Sequence, residues 1–286
     1  MKYIVLLFGL CACRGDKDTI TDTGDDTTSE EQGANMLLIG NSFFKPYAQN
    51  LDIVAADAGF EEHNSTIITR GGDKGHPISF WEDSTTDEHK DIKSTLDEGG
   101  LDFFGMTSGH DFENPVDRIE GHRAWIDYAL QNNPDITIFL AIPTVDFPED
   151  WDQRAADLGY NTIQEMYTDF IADIVHTEMV DQLREEFPST NIFTVPTGWS
   201  AINLAKMQEE GTLLDDITMS GPQATSIFTD EKGHQGQIVV EAGTLVWLNS
   251  IYNVDLSTNT YDTGFNTDLH SIAQQIMDEH DLEYKQ

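Results

Sequence analysis

Short apolar runs alternate with longer segments of helical periodicity over most of this 286-residue chain. Several runs are apolar at consecutive positions, as in strands that are buried on both faces. We predict strands at Met36 to Ile39, Thr66 to Thr69, Leu101 to Met106, Ile136 to Ile142 and Ile192 to Val195. Strands that alternate with helices form a mostly parallel sheet covered on both faces. The sequence therefore predicts an α/β fold: a three-layer α/β/α sandwich around a mostly parallel five-stranded sheet.

Three segments carry the clearest helical pattern. Apolar residues recur at intervals of three and four from Ile163 to Phe187, and Pro188 ends the pattern. The segment from His234 to Tyr252 reads as a second helix, entered from a loop. A final amphipathic helix is expected to cover one edge of the domain with Leu269, Ile272, Ile276 and Met277.

The charge balance excludes several classes of partner. Asp and Glu total 52 against 15 Lys and Arg, which gives a formal net charge of −37. Such a chain repels nucleic acid and anionic membrane surfaces. The cysteines, Cys11 and Cys13, lie outside the predicted domain, and no His-Glu-x-x-His pattern or Gly-rich phosphate loop is present. We therefore expect no disulfide, no metal and no cofactor in the folded part.

The N-terminus reads as an export signal. Lys2 precedes an apolar stretch, Tyr3 to Leu10, that is too short to span a bilayer. The next residues, through Cys13, resemble a bacterial lipoprotein signal, which implies cleavage before Cys13 and lipidation of its thiol. An ordinary cleaved signal is the alternative. We expect a signal peptide over 1–12, an acidic flexible tether over 13–34 and one domain over 35–286, held in the cell envelope, with membrane contact only through the lipid.

Two polar residues occupy positions typical of a catalytic pair. Ser42 directly follows the first predicted strand, and His234 lies near the other end of the domain. Working residues of parallel sheets lie on loops beyond the carboxyl ends of the strands. A serine becomes nucleophilic when a histidine, oriented by a carboxylate, takes its proton. These positions favour a hydrolase, although a serine in a strand-to-helix turn is more often a helix cap.

The tripeptide Gly40-Asn41-Ser42 after the first strand, together with a late acid-to-histidine block, resembles the SGNH (GDSL-like) hydrolase family from Met36 to about Asn253. The resemblance implies Ser42 as nucleophile, His234 as base and an upstream acid that orients the imidazole. The family places an aspartate three residues before the histidine, whereas here Glu231 has that spacing and Asp230 lies four residues before it. We favour Asp230, because Gly233 allows the extra turn. Glu231 is the alternative.

The same resemblance implies an oxyanion hole made from the nucleophile's amide, a glycine after the second strand and an asparagine after the third. Ser42 supplies the first group and Gly72 resembles the second. No asparagine occurs between Gly105 and Asp111, so His110 or Thr107 would have to donate instead. Without either, turnover would be slow or lost.

The resulting expectation is a serine esterase that cleaves carboxylic esters through an acyl-enzyme on Ser42. Its substrate would be an ester-bearing small molecule or polysaccharide, with O-acetyl groups on an extracellular polysaccharide as the candidate. The alternative is a catalytically weak or inactive SGNH-fold surface domain that binds glycan. A structural envelope lipoprotein is a third reading.

Overall fold

A computed structural model describes residues 32–109 and 119–286. The expected signal peptide, the lipidation site at Cys13, nearly all of the tether and the candidate donor His110 lie outside these residues. Within the described ranges, no helix is both long enough and apolar enough to cross a bilayer.

The central sheet has five parallel strands, as the sequence predicts. They are β1 (Asn35–Gly40), β2 (Asn64–Thr69), β3 (Phe103–Thr107), β4 (Thr137–Ala141) and β5 (Ile192–Val195). Their order is β2-β1-β3-β4-β5, and all neighbours are parallel. The chain leaves β1 toward one edge of the sheet and returns as β3 on its other side. The carboxyl end of β1 is therefore the point where the connections diverge, which is where such sheets bind ligands.

Two groups of helices complete the three layers. One group consists of α1 (Lys45–Asp57), α8 (Trp199–Glu210), α9 (Gln237–Tyr252) and α10 (Leu269–Glu279). Of the others, α2 (Pro77–Glu82), α3 (Asp87–Glu98) and α4 (Glu120–Ala129) pack against one another, and α5 (Trp151–Asp157), α6 (Ile163–Asp169) and α7 (Gln182–Glu186) lie between β4 and β5 in the chain. Helix α9 packs against α1, α8 and α10, and nearly all of its residues are buried. It begins at Gln237 rather than at His234, which leaves His234 on a loop.

The segment from Ile163 to Phe187, predicted as one α-helix, is helical throughout most of its length but is not α-helical in its middle. Its middle, Phe170–Asp181, is a π-helix between α6 and α7. The wider turn changes which side chains face the core, because burial repeats at Phe170, Val175 and Val180, five residues apart. As a result His176 is buried, whereas Ile174, which the α-helical pattern places inside, is only half-buried.

A second, smaller sheet is absent from the sequence prediction. Strands β6 (Thr218–Ser220) and β7 (Ser226–Phe228) pair in parallel, and β7 leads directly into the loop that carries His234. Phe228 is fully buried and packs edge-on against Trp151. This contact anchors one end of the His234 loop to the body of the domain.

The predicted C-terminal amphipathic helix is present as α10, and it packs against α9 and α8. Beyond it, His280 meets His176 of the π-helix at β5, and both histidines are buried. The Nε2 atoms of His176 and His280 lie 3.2 and 2.9 Å from the hydroxyl of Thr194 on β5. The His176 ring stacks on Tyr284 at 3.6 Å. Burial lowers the pKa of His176 to about 3 and the pKa of His280 to about 4. Both histidines are therefore neutral in the folded protein at neutral pH.

This pair predicts a loss of stability in mild acid. Between pH 7 and 5 the unfolded chain, with histidine pKa values near 6.5, takes up protons that the folded protein does not bind, so the free energy of unfolding falls as pH falls. Two such groups give a slope on the order of 2 kcal/mol per pH unit below pH 6. Urea unfolding at pH 7, 6 and 5 measures it. His280→Gln should lower the slope by about half, and a variant that keeps the full wild-type slope would contradict this assignment.

Candidate active site

The turn after β1 presents Ser42 at the sheet edge. The Asn41 side chain is buried, and its Oδ1 accepts hydrogen bonds from the backbone N–H groups of Phe43 (3.0 Å) and Phe44 (3.3 Å). Such a local turn fixes the backbone on both sides of Ser42. The N–H of Ser42 donates to no acceptor among the described residues. The arrangement leaves the hydroxyl half-buried and the amide available to a ligand.

The structure brings Ser42 and His234 together from positions 192 residues apart. The Ser42 Oγ lies 2.8 Å from the Nε2 of His234. On the other side of the ring, Nδ1 lies 2.6 Å from Oδ2 of Asp230. Because a carboxylate only accepts hydrogen bonds, Nδ1 carries the proton, and Nε2 of the neutral ring accepts from the serine hydroxyl. This is the connectivity of a nucleophile, a base and an orienting acid.

Asp230, and not Glu231, is the acid that contacts the imidazole. The second oxygen of Asp230, Oδ1, accepts from the backbone N–H groups of Gly233 (3.1 Å) and His234 (3.2 Å), while Glu231 is exposed. Gly233 has φ = +93°, a left-handed conformation that favours glycine, so the loop accommodates the extra residue between Asp230 and His234. Thr229 N–H then closes the loop on the His234 carbonyl at 2.7 Å.

The environment of Asp230 keeps it ionised. Partial burial alone would raise its pKa, but the hydrogen bonds from the His234 side chain and from the backbone N–H groups of His234 and Gly233 outweigh this effect and lower the pKa below its ordinary value. Asp230 is thus a carboxylate throughout the neutral range. The negative charge stabilises an imidazolium when His234 takes up a proton.

The His234 ring is fixed by packing as well as by hydrogen bonds. Phe43, buried directly after the serine, stacks on the imidazole at 4.8 Å between centroids and 19° between planes. Gln235 donates from its Nε2 to the Phe43 carbonyl at 3.1 Å. Phe44 instead packs into the core against Trp247. Of the two aromatic residues after Ser42, one supports the base and the other anchors the first helix.

The loop after β2 packs onto the serine turn. A Cβ on Gly75 would lie 2.6 Å from the Asn41 Cα and 2.6 Å from the Arg70 carbonyl oxygen, so only glycine fits there. Arg70, the first residue after β2, fixes the start of this loop through ion pairs with Asp83 and Glu88. Gly72, the predicted glycine donor, has φ = +56° and lies in the same loop. Gly75, which the sequence analysis missed, is the residue that sets how closely the loop approaches.

The segment after β3, where the family resemblance implies an asparagine donor, is held by hydrogen bonds around Thr107. Thr107, at the end of β3, is fully buried, and its hydroxyl accepts from the N–H of Gly109 at 3.3 Å. The Nε2–H of His122 donates to the Thr107 carbonyl oxygen at 2.9 Å. Thr107 is therefore engaged in holding the end of the strand. The third oxyanion donor of the family pattern has no assigned counterpart among the described residues.

Phe147, on the loop after β4, is a further residue that the sequence analysis missed. Its φ is +52°, an unusual value for a bulky residue, and 45% of its surface is exposed. Its N–H donates to the carbonyl of Lys232 at 3.0 Å, and a Cβ on Gly233 would lie 2.9 Å from Cδ of the neighbouring Pro148. The β4 loop thereby supports the His234 loop from outside.

A cleft of about 390 Å³ opens over the serine, with walls that include Ser42, Pro46, Pro222, Gln223, Thr229 and His234. The side chain of His234 remains 30% exposed. No group of three His, Cys, Asp or Glu side chains suited to a metal ion occurs within 32–109 and 119–286. The chemistry that these described residues offer is nucleophilic and acid–base.

The sequence matches no family model, and it matches no curated protein. Among solved structures it is similar to the lipopolysaccharide acetyltransferase periplasmic domain of Salmonella ser. Paratyphi A. That chain is 13% identical, and the alignment covers 77% of this chain and 83% of that one with a TM-score of 0.43. The similarity is too distant to assign an activity or a substrate.

Proposed function

We propose that this protein is a serine ester hydrolase of the SGNH type, with Ser42 as nucleophile, His234 as general base and acid, and Asp230 as the orienting carboxylate. The observation that supports the proposal is the continuous chain of contacts from Ser42 Oγ through the imidazole to Asp230, at 2.8 and 2.6 Å. Both distances are within hydrogen-bonding range, and the packing of Phe43 fixes the ring plane between them.

The geometry supports a two-step reaction. The Ser42 oxygen attacks the ester carbonyl carbon while its proton moves to Nε2 of His234. The carbonyl oxygen becomes an oxyanion, to which the Ser42 amide donates, and Gly72 is proposed as a second donor. The bond to the alcohol oxygen then breaks, and the alcohol leaves with the proton from His234. Water attacks the acyl carbon and gives a proton to His234. The bond between the acyl carbon and Ser42 Oγ then breaks, His234 returns the proton to Oγ, and the carboxylic acid leaves.

The proposed setting is the cell envelope, because the N-terminal residues read as an export signal that ends near Cys13. An exported esterase acts on large external molecules, for which O-acetyl groups on a polysaccharide are the proposed substrate. The alternative, a glycan-binding domain with little or no catalysis, is favoured by one observation, which is that no asparagine lies between Gly105 and Asp111.

Covalent labelling tests the proposal directly. A fluorophosphonate reacts with a serine only when a neighbouring base activates it. We expect one label per chain, located at Ser42 by peptide mass spectrometry, and no label in Ser42→Ala. Labelling elsewhere, or an unlabelled but folded wild-type protein, would favour the non-catalytic alternative.

A further inference from the structure

The positive charges of this protein are distributed in an uneven way. All of the described arginines and three of the described lysines have acidic or aromatic partners. These pairs are Arg70 with Asp83 and Glu88, Arg123 with Glu120 and Glu186, Arg154 with Asp146, Lys90 with Asp87, Lys206 with Glu210, and Lys93 over Trp81 and Tyr128. Arg184 donates to the Ile192 carbonyl and stacks on Tyr284. With 52 acids for 15 bases, a partner is readily available to each cation.

Within 32–109 and 119–286, four lysines form no ion pair, side-chain hydrogen bond or aromatic contact, and three of them belong to the loops and turn that build the candidate active site. Lys45 follows Ser42 by three residues, Lys74 lies between Gly72 and Gly75, and Lys232 precedes His234 by two residues. The fourth, Lys285, lies beside His280 at the C-terminal end. Three separate segments of the chain thus each bring an unpaired cation toward the same end of the sheet.

Lys232 is the best placed of the three. It is half-buried, and its backbone is held by the hydrogen bond from Phe147 N–H to the Lys232 carbonyl. Its Nζ lies 3.9 Å from the position that a Cβ on Gly72 would occupy. The ammonium therefore reaches from the His234 loop across to the glycine loop that packs on the serine turn. None of the ion pairs among the described residues involves Lys232, and the carboxylate of the nearby Asp230 is bonded to His234 instead.

We infer that the substrate of the Ser42 site carries a negative charge near its ester bond and that Lys232 binds this charge. A net charge of −37 repels anions from most of the surface, so an anionic substrate needs a local positive site at the cleft, whereas a neutral substrate does not. Lys45 and Lys74, both exposed, are two further cations on the segments that follow β1 and β2. The substrate class is thus an anionic ester, such as an acetylated acidic glycan. This inference rests on the proposed function and narrows it.

Two probes that share one acetyl ester test the inference. 4-Acetoxybenzoate carries a para carboxylate, and 4-acetoxybenzamide is its neutral counterpart of similar shape, so the ratio of their kcat/KM values reports charge recognition. We expect the wild-type ratio to exceed one and to fall about three- to tenfold in Lys232→Gln, as for loss of a partly exposed ion pair. Lys232→Arg should keep most of the preference, and thermal unfolding verifies that each variant is folded.

The control is Lys90→Gln, which removes the same charge from an exposed site on α3 and should leave the ratio unchanged. If the wild-type protein cleaves both probes but Lys232→Gln changes the ratio no more than Lys90→Gln does, the charge inference is wrong and the esterase proposal stands. If the folded wild-type protein cleaves neither probe and takes no fluorophosphonate label, both proposals fall together.

Discussion

Ser42→Ala is expected to lower kcat for p-nitrophenyl acetate hydrolysis by at least about 10³-fold. The reason is geometric, since no other described hydroxyl lies within hydrogen-bonding distance of His234 Nε2. Removal of the hydroxyl leaves the imidazole, the Asn41 turn and the cleft in place. Initial rates of p-nitrophenolate release, corrected for the spontaneous reaction, provide the measurement.

The Ser42 variant should remain folded, because the lost hydroxyl is half-buried and makes one hydrogen bond, worth about 1 kcal/mol. Ser84→Ala, at an exposed turn position, is the matched control and should keep the wild-type rate. Equal rates for Ser42→Ala and the wild-type protein would remove Ser42 from the mechanism and, with it, the esterase proposal.

The central sheet could be predicted because β1, β3, β4 and β5 are mostly apolar at consecutive positions, a pattern that a buried parallel strand requires and an amphipathic helix does not. The edge strand β2 is only partly buried and has two apolar residues, Ile67 and Ile68. All five predicted runs overlap the strands of the structure. The second, smaller sheet, made of β6 and β7, could not be predicted in this way. Its strands are three residues long, and Thr218–Ser220 is largely exposed, so it leaves no apolar signature.

The π-helical segment shows a different limit of the sequence pattern. Apolar residues from Ile163 to Phe187 fit a spacing of three and four well enough to predict an α-helix. They also fit the spacing of five that the structure uses at Phe170, Val175 and Val180. The choice between the two depends on what the helix packs against, including the contact between His176 and Thr194 on β5. Sequence periodicity contains no information about that contact.

The residues of the candidate site also fall into two groups, those that the sequence predicts and those that only the structure shows. Ser42 and His234 could be found because each lies in a local motif whose position in the chain carries meaning. The supporting residues Gly75, Phe147 and Lys232 act through contacts between loops that are distant in sequence, and the residues around Gly75 and Phe147 do not mark them. For Lys232 the only available signal was a cation two residues before the histidine in a strongly acidic chain.

Asp230→Asn is the second substitution with a large expected effect, a loss in kcat of about 10²- to 10⁴-fold. An asparagine can keep Oδ1 as acceptor for the N–H groups of Gly233 and His234, so the loop should hold its shape. Its amide, however, donates toward Nδ1 of His234, which favours the tautomer with the proton on Nε2, and that tautomer cannot accept the proton of Ser42. The lower end of the range applies if water screens part of the charge, because the Asp230 side chain is 49% exposed.

Glu231→Gln is the matched control for this prediction. It makes the same change from acid to amide one residue away, on a side chain that does not contact the imidazole. We expect its kcat to stay within about twofold of the wild-type value, as for a surface change outside the site. Steady-state kinetics of both variants with p-nitrophenyl acetate, at a pH where the wild-type rate is maximal, separates the two acids. A large loss in Glu231→Gln with little loss in Asp230→Asn would show that the glutamate at the family's spacing orients the base, and that the loop changes its turn at Gly233 when substrate binds.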